Sequence, residues 1–196
     1  QEPPYYRAPF GGDAANITIV ENGGQDKICY EFHQDGSQRK CLVIPDGAFR
    51  NPMTVEQIQN QIVRMPLTGV VMDGSTVFNF AQKEVPILVD SLTKMAETTK
   101  EDIDWFLFHQ PNKFMLQKLA ERIGVPFEKM PMDIVEKFGN SNSATIPTAI
   151  TADLKEEMLN KESLCCLAGF GAGVAWAGII MKMGNMDFCD TIISDL

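Results

Sequence analysis

The chain has 196 residues, 44% of them apolar and 22% charged, with a formal net charge of −9. That balance suits a soluble globular protein with a sizeable core, and the negative charge excludes the broad cationic face that nucleic acid or an anionic membrane requires. No apolar run nears the ~20 residues of a membrane span, and Gln1-Glu2-Pro3-Pro4 is not the basic-then-apolar opening of a secretory signal.

Residues 1–13 read as an irregular lead-in ending in Gly11-Gly12-Asp13. Alternating apolar residues predict a strand over Ala14–Glu21, and Asn22-Gly23-Gly24 predicts a hairpin into a second strand, Lys27–His33, with Ile28, Tyr30 and Phe32 on one face. Asp35-Gly36 closes it, and Arg39–Ile44 is a further short strand. Thr54, Glu56, Ile58, Ile62 and Val63 are placed as in a capped amphipathic helix. Ser75 is the expected N-cap of a long helix whose apolar positions run Val77, Phe78, Ala81, Val85, Leu88, Val89, Leu92, Met95. A central strand over Ile103–Phe108 follows, then a helix from Asn112 to Ile123 and another from Pro126 to Phe138. Asn140-Ser141-Asn142-Ser143 is a polar loop, and Pro147 lies in the first turn of a helix reaching Leu159. Leu164–Ala168 is a buried strand, Gly169–Gly173 a glycine loop and Val174–Met183 the last strand. Residues 184–196 form a polar tail, expected to fray. Alternating helices and strands with an antiparallel hairpin indicate an α/β layered sheet.

The five cysteines include no Cys-x-x-Cys, and Cys165 and Cys166 sit inside an apolar run. They predict buried, reduced thiols and a cytoplasmic setting rather than a disulfide framework or zinc site. His109 ends the aromatic strand at a His-Gln-Pro-Asn corner, where it serves either as a core histidine or as a group delivered to the end of a sheet. His33, beside a turn, is expected at the surface. The Asn140–Ser143 loop either caps helices or places an amide donor against a carbonyl. Gly169-Phe170-Gly171-Ala172-Gly173 lacks the last glycine of a dinucleotide fingerprint, where Trp176 stands, and lacks the Lys-Ser/Thr of a P-loop. Close backbone approach to a reacting carbonyl suits it better. No G-x-S-x-G elbow is present.

In order along the chain, six stretches carry a resemblance: Phe10-Gly11-Gly12-Asp13-Ala14-Ala15, Asp35-Gly36-Ser37, Met72 to Phe78, Asp102 to Asn112, Gly139 to Pro147, and Phe170 to Trp176. Together they resemble the C-terminal half of the β-ketoacyl-acyl-carrier-protein synthase III family, thiolase-fold condensing enzymes. The resemblance implies a thiolase-like C-terminal half over 14–183, with a five-stranded mixed β-sheet layered with α-helices. It implies decarboxylative condensation of an acyl thioester with malonyl-acyl-carrier protein in fatty acid biosynthesis, with CoA and phosphopantetheine thioesters as substrates and no tightly bound cofactor or metal. By the same resemblance, His109 and Asn140 hydrogen-bond the malonyl thioester carbonyl, and the Ala172 N–H, at a family glycine, supplies half of an oxyanion hole. Phe170 and Phe78 line the site, and Gly74, Ser75 and Asn112 line the pantetheine tunnel. The family's docking arginine is Phe114 here, leaving Lys113 and Lys118 as the nearest basic residues for an acidic carrier protein.

The family's nucleophilic cysteine belongs to its N-terminal half, and none of the five cysteines here occupies its place. The chain, which does not open with Met, is therefore expected to be a piece of a longer homodimeric enzyme, inactive without the half that carries the cysteine. Two alternatives keep the fold: a non-catalytic partner subunit or acyl-carrier-binding module, and a related acyltransferase with a different acceptor.

Overall fold

The computed structural model of the chain describes residues 11–21, 24, 26–45, 49, 52–56, 59 and 70–194. In chain order the elements are β1 (Cys29–Gln34), β2 (Leu42–Val43), β3 (Val71–Met72), α1 (Gly74–Ala96), β4 (Trp105–Phe108), α2 (Lys113–Ile123), α3 (Ile134–Phe138), α4 (Thr145–Asp153), α5 (Lys155–Asn160), β5 (Glu162–Gly171) and β6 (Ala175–Gly184). Short 3-10 turns lie at Gly36–Gln38, Phe127–Lys129 and Asn142–Ala144.

The main sheet is mixed, in the order β1-β6-β5-β4. β4 runs parallel to β5, while β6 is antiparallel to both β5 and β1. Helices lie on both faces, although Tyr30 and Phe32 of β1 stay exposed, and the period-2 alternation of the strands sorts the core into two layers. Phe106, Phe108 and Cys166 face α1 and α2 with Phe80, Val85, Leu88, Leu92, Leu116 and Leu119. Leu107 and Cys165 face α4 and α5 with Ile150, Leu154 and Met158. Adjacent cysteines thus end in different layers, both fully buried. No helix of the described residues is long and apolar enough to cross a membrane.

Several expectations need correction. Among the described residues the sheet has four strands rather than five: residues 14–21 join no ladder, and Ile17 and Val20 are 84% and 86% exposed. Alternation marks a face that needs cover but does not say which sheet supplies it. The turn expected at 22–24 and most of the helix expected after Thr54 lie outside the described residues, although residues 55, 56 and 59 are helical. Ser75 does not cap α1. Asp73 does, accepting from the Thr76 N–H at 3.1 Å. The single helix expected from Pro126 to Phe138 is a 3-10 turn and α3, split where Met130 precedes Pro131 and is held extended (φ −127°, ψ 98°). The helix expected to reach Leu159 breaks at Leu154 into α4 and α5. β5 runs through Phe170 to Gly171, so the glycine loop shrinks to a hairpin over 172–174.

The tail is not frayed from residue 184 to residue 191. Met186 N–H donates to the Met158 carbonyl at 2.9 Å, Cys189 is buried against Ile150, and Asp190 pairs with Lys155 at 3.0 Å. Met186 and Cys189 join the layer that α4 and α5 begin, whereas Phe188, Ile192 and Ile193 are exposed.

Candidate active site

The site is a corner where the end of β4, the N-terminal turns of α1 and α2, the loop before α4 and the β5–β6 hairpin meet. The His109 N–H donates to the Ala168 carbonyl at 2.8 Å, which carries the parallel ladder one residue past β4. Gln110 then locks the corner. It is fully buried, and its side-chain amide donates to the Phe108 and Pro131 carbonyls, both at 2.9 Å.

His109 is half-buried, and its Nδ1 lies 2.8 Å from the Thr145 hydroxyl. The Phe170 ring meets it edge-on, with centroids 5.5 Å apart at 78°. Burial pulls its pKa down to about 4, with the Asn142 carbonyl opposing the fall, so the imidazole is neutral at pH 7.

Asn140 is set from two directions. The Gly12 N–H donates to its carbonyl at 3.1 Å, and Gly11 pairs with it in an isolated parallel bridge. A Cβ on Gly12 would lie 1.9 Å from the Phe138 carbonyl oxygen, and Gly139 has φ +72°, so only glycines allow this approach. On the other side, Asn140 Oδ1 accepts from the Asn142 N–H at 2.9 Å, which leaves its Nδ2 as the free donor. The Asn142 carbonyl accepts from Thr145 Oγ1 at 2.8 Å. Asn140, Asn142, Thr145 and His109 therefore form one continuous hydrogen-bonded series.

The other expected residues divide. Phe170 stands against His109. Ala172 is exposed in the hairpin, and among the described residues no carbonyl accepts from its N–H. That hairpin is pinned to the end of β1, where Asp35 and Val174 exchange backbone bonds of 2.8 and 3.1 Å. Gly74 and Ser75 are exposed in the first turn of α1, the Ser75 hydroxyl donating to Asp73 at 2.7 Å. Phe78 stacks on Phe114, with centroids 5.9 Å apart at 20°, and Phe114 is 60% exposed. Asn112 is the N-cap of α2, its Oδ1 accepting from the Met115 N–H at 2.8 Å. Lys113 pairs with Asp133 at 2.6 Å and Glu136 at 3.6 Å, and Lys118 with Glu121 at 2.7 Å, so both carry acidic partners of their own. His33 is exposed, but it pairs with Glu31 and stacks on Trp176.

Sequence reasoning missed Thr145 and the part played by Gly12. A hydroxyl in the first turn of the helix after the Asn140 loop was the available signal for Thr145. For Gly12 it was a second glycine where a turn needs only one. A surface hollow of about 280 Å³ lies at the other end of the strands, bordered by Asp26, Ala96, Thr98, Leu164 and Lys182.

Residues 93–183 match the family described as 3-Oxoacyl-[acyl-carrier-protein (ACP)] synthase III C terminal. The chain is 32% identical over 172 residues to the beta-ketoacyl-[acyl-carrier-protein] synthase III of Synechocystis sp., covering 87% of this chain and 51% of that protein. It is also 32% identical over 174 residues to the enzyme of that name from Natranaerobius thermophilus, covering 88% and 51%. The crystal structure of a 3-oxoacyl-(acyl-carrier protein) synthase from Burkholderia xenovorans LB400 superposes with a TM-score of 0.76 at 32% identity, covering 88% of this chain and 49% of that one. The chain spans about half the length of the curated relatives it matches.

Proposed function

Because the chain belongs to the 3-oxoacyl-acyl-carrier-protein synthase III family, to whose C-terminal half it corresponds, we propose that it carries the decarboxylation half of a condensing site. There an acyl group from acyl-CoA, held on a cysteine, is attacked by the carbanion left when a malonyl-acyl-carrier-protein thioester loses carbon dioxide. The observation that carries this reading is the hydrogen-bonded series from Asn140 to His109, which fixes an amide and a neutral imidazole at the end of a buried strand.

As carbon dioxide leaves, negative charge moves onto the thioester oxygen, and fixed polar groups aimed there favour the transition state over the ground state. Neutrality matters as much as placement. An imidazolium beside the malonyl carboxylate would stabilise the substrate and oppose the loss of carbon dioxide, whereas burial keeps this ring uncharged. The Phe170 edge against His109 keeps that side of the ring from water. The exposed Ala172 N–H is the donor offered to the acyl-enzyme oxygen. The Phe78–Phe114 stack lies beside the Asn112 corner, as an apolar wall for the arm that delivers the thioester.

The nucleophile lies outside these 196 residues. All five cysteines are buried, and burial pushes Cys165 and Cys166 up to about 12, a state unsuited to thiolate chemistry. Condensation assays with a short acyl-CoA and malonyl-acyl-carrier protein test the reading, run on the chain together with the half that supplies the cysteine. His109→Ala and Asn140→Ala are each expected to lower kcat about 100- to 1,000-fold. Near-unchanged rates would remove both residues from the mechanism. Product formed by the chain alone would sink the placement of the nucleophile.

A further inference from the structure

Helix α4 leads directly out of the site, and its own sequence does little to hold it. Five of its nine residues are β-branched, no side chain caps its N-terminus, and its length falls short of the ~12 residues at which an isolated helix persists in water. The Thr148 hydroxyl also bonds back to the Ala144 carbonyl at 2.8 Å, which competes with the regular ladder. Support comes from beyond the last strand. The family match ends at residue 183, and the chain then turns sharply at Gly184 (φ +132°) and Asn185 (φ +48°). A Cβ on Gly184 would lie 1.9 Å from the Lys161 carbonyl oxygen, so the turn needs a glycine there. It sends the following residues back along α5 and onto the last turn of α4. The Met186 N–H donates to the Met158 carbonyl at 2.9 Å, and Asp190 pairs with Lys155 at 3.0 Å. Cys189 is buried against Ile150, and the Thr191 hydroxyl donates to the Thr151 hydroxyl at 2.7 Å.

We propose that residues 184–191 are a positioning strap for the condensing site, seating α4 by its last turn so that the Asn140–Thr145 loop keeps its place beside His109. Thr151 lies less than two turns, about 9 Å, along the helix from Thr145. A shift of the last turn therefore passes down a hydrogen-bonded rod to the loop. Apolar packing of Ala149 and Ile150 keeps α4 on the sheet, but that attraction is non-directional. The hydrogen bonds of the strap fix where on the sheet the helix sits. Lys137 of α3 adds a tie to Asp153 at 2.7 Å, but its side chain is half exposed, and such ion pairs hold little. The strap acts through α4 rather than on the reacting groups. Its effect on turnover rests on the condensing-enzyme reading, but the seating of α4 does not.

Amide hydrogen exchange reads the seating of α4, and the side-chain amide resonances of Asn140 read the loop. In a chain ending at Gly184, the amides from Ile150 to Met158 should exchange about 10-fold faster or more, with those of β4 and α1 unchanged. The Asn140 side-chain resonances should move with them. Cys189→Asp, which puts a charge into the buried seat, should have the same effects, and Cys189→Ala, which keeps the seat apolar, should stay close to the unmodified chain. That pair decides the matter if the shortened chain does not fold. Unchanged exchange in α4 overturns the proposal, as does an equal loss of protection in β4 and α1, which would make the tail a general stabiliser. Unmoved Asn140 resonances overturn it too. In condensation assays with the cysteine-bearing half, Cys189→Asp should lower kcat about 10-fold at little change in KM, and an unchanged kcat would refute the positioning role. If the unmodified pair forms no product, the condensation reading falls while exchange and the Asn140 resonances still decide the strap.

Discussion

Replacing His109 with glutamine and following stability against pH isolates the cost of burying that imidazole. The ring's ordinary pKa is 6.5, and burial brings it to about 4 in the folded chain, a gap of about 2.5 pH units or ~3 kcal/mol. Because the folded value is the lower one, the unfolded chain binds more protons between the two values. The contribution is complete above pH ~6.5, declines as the pH falls through the window, and is gone below pH ~4. Combining the two titrations, the unmodified chain should lose about 1 kcal/mol between pH 7 and 5.5, and about 2 kcal/mol by pH 4.5, beyond whatever the His109→Gln chain loses. Carboxylates held low by hydrogen bonds, among them Asp35, Asp73 and Asp102, are common to both chains and cancel in the difference. Urea titrations read by circular dichroism at the three pH values measure the gap. Parallel stability curves for the two chains would show that the folded site accepts a charged imidazole, and the argument for a neutral ring would fail.

Gly12→Ala puts a Cβ 2.9 Å from the Gly139 Cα and closer still to a carbonyl, all backbone atoms. It should cost ~2 kcal/mol or more and displace the Asn140 amide resonances, and unchanged Asn140 shifts would refute the clamp. Asn112→Ala should cost ~1 kcal/mol through loss of the α2 cap, while Asn112→Ser keeps most of that stability; equal losses from both would point to a role beyond capping. All five thiols should resist a soluble disulfide reagent at pH 8 until the chain is unfolded, and rapid labelling of any one in the native chain would reopen the search for the nucleophile within these residues.

The core was legible because it rests on local repeats. The helical spacing from Val77 to Met95 and the aromatic run into Phe108 each encode one face of one element, and burial follows the pattern from Ala81 to Leu92, although Met95 is exposed. The misplacements share a different origin. Whether residues 14–21 find a strand neighbour, and whether residues 185–190 pack on α5, is decided by partners distant in sequence, which periodicity does not report. The Ser75 cap failed for a more local reason: Asp73 and Ser75 both suit the start of α1, and the carboxylate, two positions earlier, collects the Thr76 N–H and both neighbouring hydroxyls.

The site shows the same division. His109 and Asn140 could be singled out because few residue types do their chemistry and each follows a recognisable boundary. What holds them could not. Thr145 reaches His109 across 36 positions, and Gly12 reaches Asn140 from the other end of the sequence. Both supports act on the same loop: Gly11 and Gly12 fix its backbone where Asn140 begins, and Thr145 fixes it through the Asn142 carbonyl. A loop held at both ends by partners that do no chemistry lets the donor and the imidazole keep their relation without touching each other. Loss of either support should therefore disturb both groups at once. That coupling separates this arrangement from two independently placed residues: a double variant at Gly12 and Thr145 should lose less than the sum of the two single losses.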